Sequence, residues 1–211
     1  MTKIVLNDKE YNYPTSFDDI TMKQYCRCFY KLKDTNKEMS DAEASLVVIE
    51  NEAVIISRLL GEDDNFVSRL PLPVFRRLQE HSRFIYEIKE FMDSKSFFIK
   101  IDGKKYFMPS PEEMSLRQYI DADMIMKEDD NEGQFIELLS CLLLPYKDDG
   151  SFEYDGDYRR LVSKIENLRA SDGLPFIYTY FKKKILSNRL SKDFLELQEE
   201  VSQRLRSIQS S

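Results

Sequence analysis

Carboxylate clusters are the residues of this chain best suited to hold a cation: Glu62-Asp63-Asp64, Glu128-Asp129-Asp130 and Asp148-Asp149. A calcium loop needs oxygen ligands at alternating positions, a glycine at the sixth and a distal glutamate. Counted from Asp121, Ile125 stands at the third ligand position; counted from Asp148, Gly150 comes too early. The clusters therefore read as solvated loops and helix-start acids, and no metal or other cofactor is expected. A two-metal nuclease centre would have to gather carboxylates from distant elements, and a small metal-dependent nucleic-acid-processing enzyme stays open as an alternative.

The remaining reactive side chains are few. Cys26, Cys28 and Cys141 make an odd count, which is not a disulfide framework, and a reducing cytosol is the expected setting. On a helix, Cys26 and Cys28 project in nearly opposite directions and cannot share a metal. His81 is the only histidine. Without a paired serine or cysteine motif it reads as a partly exposed helical residue, and no catalytic residue is expected. Lys182-Lys183-Lys184 form the one basic run, interleaved with Tyr178, Tyr180 and Phe181. Adjacent lysines spread around a helix and solvate its outside. With a net charge of −7, contact with nucleic acid or anionic lipid is not expected. The longest apolar run, Leu138 to Leu144, is far too short to cross a bilayer.

The elements carrying these residues are written twice. Ile4 to Tyr25 (IVLNDKEYNYPTSFDDITMKQY) is echoed by Ile99 to Tyr119 (IKIDGKKYFMPSPEEMSLRQY). Ile4 matches Ile99, Tyr11 matches Tyr106, Pro14 matches Pro109, Gln24 matches Gln118 and Tyr25 matches Tyr119. Further echoes follow at similar spacing: Phe66–Leu70 with Leu161–Ile165, and Phe84–Tyr86 with Phe176–Tyr178. Such self-similarity, held over roughly twenty positions, reads as two divergent copies of one module.

Each copy should open with a β-hairpin turning at Asn7-Asp8 or Asp102-Gly103, because these residues tolerate positive φ. Pro14 and Pro109 should end the return strands. A helix follows, with Thr21-x-x-Gln24 and Ser115-x-x-Gln118 as capping boxes. Ile20 with Tyr25, and Met114 with Tyr119, fit a hydrophobic staple. Ser40-x-x-Glu43 opens a helix with Leu46, Val47, Ile49, Ala53, Ile56 and Leu60 on one broad face, ending at Gly61. Further helices are expected from about Pro73 to Met92, Glu132 to Leu144, Tyr158 to Arg169 and Pro175 to Leu186. The tail places Phe194, Leu197, Val201, Leu205 and Ile208 at helical spacing.

The fold class expected is mainly α within α+β. Two tandem modules span 1–96 and 97–190, joined around Asp93 to Ser96, each a short hairpin followed by a small helical bundle. A loop at 147–157 is inserted in the second, and an amphipathic helix at 191–211 is appended.

The [ST]-x-[KR]-Q-Y helix start, the run IISRLLG and the run VSRLPLP before a long helix resemble small helical tail and baseplate assembly proteins of tailed bacteriophages. The likeness covers Phe17 to Phe91 best. It implies a non-enzymatic, chaperone-like morphogenesis protein of the host cytoplasm that binds another tail, baseplate or neck protein. A permanent virion component is the alternative, and self-association into a homo-oligomer is compatible with either. Aromatic and apolar helix residues are the candidate partner contacts: Tyr25, Phe29, Tyr119, Phe194, Leu197 and Val201.

Overall fold

Asn7 and Asp8 take φ of 49° and 63°, and Asp102 and Gly103 take 50° and 76°. These left-handed pairs make both two-residue turns type I′, whose twist matches the flanking strands. In the computed structural model, which describes residues 1–34, 39–87, 98–128, 131–146 and 153–182, β1 (Thr2–Leu6) pairs with β2 (Lys9–Tyr13). β3 (Phe98–Ile101) pairs in the same way with β4 (Lys104–Phe107). Ile4 lies opposite Tyr11 and Ile99 opposite Tyr106. In both hairpins the alternate residues Ile4, Leu6, Tyr11 and Ile99, Ile101, Tyr106 are buried. Around these two small sheets the described chain is mainly helical, an α+β arrangement.

The second hairpin carries an element that the sequence reading did not contain. Leu144–Pro145 forms β5 against β4, and the Tyr146 N–H donates to the Lys105 carbonyl at 2.9 Å. The helix expected to reach Leu144 stops at Leu142. A residue that precedes proline is disfavoured in the helical region, so the chain extends early, and Pro145 needs no donor on an edge strand.

α1 (Met22–Phe29) starts with the full capping box, the side chains of Thr21 and Gln24 each accepting from the other's backbone N–H. α2 (Asp41–Leu59) starts with the same device at Ser40 and Glu43. It ends at Gly61, whose φ is 75°. There Glu62 N–H reaches the Ser57 carbonyl at 3.0 Å and Gly61 N–H reaches the Arg58 carbonyl at 3.1 Å, a Schellman motif. Only the second half of α2 packs: Ala53, Ile55, Ile56 and Leu59 are buried, whereas Leu46, Val48 and Ile49 are exposed.

α3 (Leu72–Ser82) is shorter than the helix expected to reach Met92, of which residues 88–92 lie outside the described ones. At Arg83–Tyr86 it tightens into a 3₁₀ turn that sends Phe84 and Ile85 into the core, Phe84 lying edge-on to Phe17 at 5.3 Å. α4 (Leu116–Lys127), α5 (Gln134–Leu142), α6 (Arg159–Glu166) and α7 (170–182) follow. α7 begins five residues before Pro175. Its start is pinned by an antiparallel bridge to the start of α1, in which Met22 N–H donates to Leu168 O at 2.8 Å and Ala170 N–H to Ile20 O at 2.9 Å.

That bridge ties the stretches 1–96 and 97–190 together, and one buried cluster draws on both, from Ile4, Tyr13 and Ile56 to Ile99, Leu139 and Ile177. A smaller cluster gathers Ala122, Ile125, Leu138, Cys141, Leu142 and Tyr180. Gly173 sits at the seam, because a Cβ there would meet Met22 Sδ at 2.6 Å. The later sequence echoes do not share a local structure. Val67–Arg69 is a 3₁₀ turn whereas Leu161–Ile165 is helical, and Phe84–Tyr86 is 3₁₀ whereas Phe176–Tyr178 lies in α7.

Candidate docking surface

α4 carries apolar residues on two opposite faces. Gln118, Ala122 and Ile125 point inward and are buried. Leu116, Tyr119, Ile120 and Met124, at helical spacing on the other side, are exposed by 75%, 44%, 47% and 60%. A helix with water on one side ordinarily carries polar residues there. This face does so only in part: Asp123 and Lys127 stand among the apolar four and pair with each other at 2.6 Å, and Arg117 and Asp121 border them.

Of the six candidate contacts, Tyr119 lies on this stripe. Tyr25 does not present a surface: it is buried in the core, its hydroxyl 3.0 Å from that of Tyr178 and its ring 5.0 Å from Phe29. Phe29 is half-buried against the same core, with one side on an open groove of ≈ 320 Å³ between α1 and α5. Phe194, Leu197 and Val201, with the whole tail helix, lie outside the described residues. Of the residues of α2 placed on the core face by their spacing, Leu46 and Ile49 are exposed and Val47 is half-buried. The signal against that was available, since four consecutive apolar residues from Leu46 to Ile49 circle the helix and cannot share one face.

The polar neighbours of α4 position it. Ser115 accepts from the Gln118 N–H at 3.2 Å, but the Gln118 side chain does not return to the cap. It is fully buried, and its amide donates to the carbonyls of Cys141 at 2.9 Å and Leu142 at 3.4 Å, the last turn of α5. So the second capping box is half a box, because orphan carbonyls at a buried helix end compete for the same donor. Tyr154 donates to Asp121 at 2.6 Å, which fixes the described end of the inserted loop onto α4. Burial and this bond to the Asp121 carboxylate push the Tyr154 hydroxyl well above its ordinary range. At the next turn Gly156 has φ 81°, a left-handed conformation that favours glycine, and a Cβ there would displace the Arg117 guanidinium.

The other reactive groups of the described residues lie apart from this stripe. Glu62 accepts from Lys9 at 2.5 Å and Tyr11 at 2.9 Å, Asp63 pairs with Arg69 at 2.8 Å, and Asp64 pairs with Arg58. Arg58, in the IISRLLG run, binds Asp64 through two nitrogens at 2.8 and 2.7 Å and donates to the carbonyls of Arg27 and Tyr30 at 2.7 and 2.6 Å. It thereby closes the end of α1. Cys26, Cys28 and Cys141 are buried and unpaired by disulfides. Burial pushes the first two thiols up to about 12 and Cys141 to about 11. His81 is half-buried on α3, its ring 6.4 Å from that of Tyr13. Among the described residues no three His, Cys, Asp or Glu side chains stand close enough to hold a metal ion, and no helix is long and apolar enough to cross a membrane. Comparison of the chain with family models, curated proteins and solved structures found no match.

Proposed function

We propose that this chain is a non-enzymatic assembly protein that docks on another polypeptide through the outer face of α4. The supporting observation is the exposed stripe Leu116, Tyr119, Ile120 and Met124 on a helix whose other face is already used by the core. Exposed apolar side chains of this kind, set among charges, mark interaction surfaces, and tyrosine and methionine are enriched in them. The reading includes a gene duplication: the hairpin and helix start occur twice with the same turn type, the same cross-strand partners and the same hydroxyl cap. The two copies then diverged into the halves of a shared core.

With the resemblance of its helix starts to bacteriophage tail and baseplate assembly proteins, the setting proposed is virion morphogenesis in the host cytoplasm, with a tail, baseplate or neck protein as the partner. The test has two parts. Isolation of tagged wild-type chain and an Ile120→Asp, Met124→Asp variant from infected cells should recover one structural protein with the first and lose it with the second, while both variants melt alike. Mass spectrometry of mature particles should then lack the chain. Its presence at fixed copy number would make it a virion subunit, and recovery of the same partner by the double variant would remove α4 as the surface.

A further inference from the structure

The first hairpin leaves a strand edge open beside a helix. With a two-residue turn, Leu6 and Lys9, then Ile4 and Tyr11, are the hydrogen-bonded pairs. The N–H and C=O groups of Lys3 and Val5 therefore point away from β2. No other strand pairs with β1 among the described residues. Along that edge runs an open cleft of ≈ 490 Å³, lined by Lys3 to Leu6 on one side and by Pro73, Val74 and Arg77 of α3 on the other. Four consecutive strand residues line it. Alternate residues of a strand face opposite sides, so the cleft follows the edge and not one face of the hairpin.

Its chemistry is one-sided. The lining is apolar apart from two cations, Lys3 and Arg77, and holds no carboxylate, in a chain of net charge −7. Lys3 is partnered by Glu10 at 2.5 Å; Arg77 is exposed and has no ion pair among the described residues. Val5, in the lining, is 68% exposed. The chain already uses strand addition elsewhere: the second hairpin takes Leu144–Pro145 as a third strand, on its opposite edge. An unpaired edge next to a helix groove is the geometry of recognition by β-augmentation, in which main-chain bonds give affinity and alternate side chains give selectivity.

We infer that the β1–α3 cleft binds an extended, acidic segment of another protein as an added strand. Alternate apolar side chains of that segment fill the groove over Val74, and its carboxylates meet Arg77, Lys3 being already paired with Glu10. This site is separate from α4, and its test does not depend on the α4 partner. The probe is a synthetic octapeptide of alternating valine and glutamate, with alternating valine and lysine as the charge control. A third peptide carries N-methyl groups on the amides of one face. Binding is followed by calorimetry and by the amide shifts of Lys3 and Val5.

The valine–glutamate peptide should bind and move both amides, and the lysine control should bind at least tenfold more weakly. Arg77→Glu should reverse that order. Val5→Pro removes one outward N–H without touching a β1–β2 bond, and should abolish binding of both peptides. If that variant fails to fold, N-methylation of the peptide removes the same bonds from the other side and should also abolish binding. No binding at millimolar peptide, equal binding of both charges, or binding that survives N-methylation in both possible registers overturns the inference.

Discussion

Gln24 and Gln118 stand at the same place in the repeated segment, yet the structure gives them different work, and replacing each by methionine measures the difference. Gln24 is exposed and accepts from the Thr21 N–H at 2.9 Å. Water replaces that bond when the side chain is changed, so Gln24→Met should cost about 0.5 kcal/mol. Gln118 is fully buried and donates to two carbonyls at the end of α5. The bond to Cys141 O, at 2.9 Å, is the strong one; that to Leu142 O, at 3.4 Å, counts for little. Gln118→Met leaves a buried acceptor without a donor, a penalty of about 1–3 kcal/mol. One offset exists: the Gln118 Oε1 atom is itself buried without a hydrogen bond among the described residues, and methionine removes it. The net loss should be about 2 kcal/mol.

Gln118→Glu turns a carboxylate toward those carbonyls and should cost more than Gln118→Met at neutral pH, since a buried charge without a donor is the more expensive defect. Urea unfolding followed by far-ultraviolet circular dichroism, with all variants at one pH, gives the three values. Equal losses for the two methionine variants, or a Gln118→Glu variant no weaker than Gln118→Met, would refute the buried-cap assignment.

Arg58→Lys should lose about 2–3 kcal/mol in the same assay, because an ammonium cannot hold Asp64 through two nitrogens while closing the end of α1. A loss below 0.5 kcal/mol would show that water caps α1 as well, since that is the scale of an exposed group. The three thiols should resist labelling in the native state, where raised thiol values lower the thiolate fraction of Cys26 and Cys28 roughly thousandfold and burial blocks access. Fast modification before unfolding counts against this. Burial alone would raise the Asp19 carboxyl, but the amino terminus, the Thr15 N–H and the Thr15 hydroxyl outweigh it and hold the group down to about 2. A depressed carboxylate contributes stability above its unfolded value and loses it as pH falls from about 4 to 2. Asp19→Asn should therefore be weaker than wild type by about 1–2 kcal/mol at pH 6 and equal to it near pH 2, as read by denaturant midpoints. Gly173→Ala should cost about 1–2 kcal/mol despite alanine's better helix propensity, because its methyl meets Met22 in the packed seam; shortening Met22 in the same chain should recover part of the loss.

Local chemistry was legible in the sequence. Asn7-Asp8 and Asp102-Gly103 specify their turns by positive φ, Thr21, Ser40 and Ser115 specify helix starts by a hydroxyl, and Gly61 specifies a helix end. Each of these depends on a few neighbouring residues and on steric rules that act before any tertiary contact forms. Packing decided the rest. Tyr25 is indistinguishable in sequence from an interface tyrosine, and packing against Phe17 and Phe29, with Tyr178 of α7 at its hydroxyl, buries it. Tyr119, its counterpart in the repeat, stays exposed because the core lies on the other side of α4. Gln118 abandons its cap because α5 happens to end beside it. Which apolar face is covered, and which polar group must serve a distant carbonyl, are set by elements far away in the chain, and no local pattern carries that information.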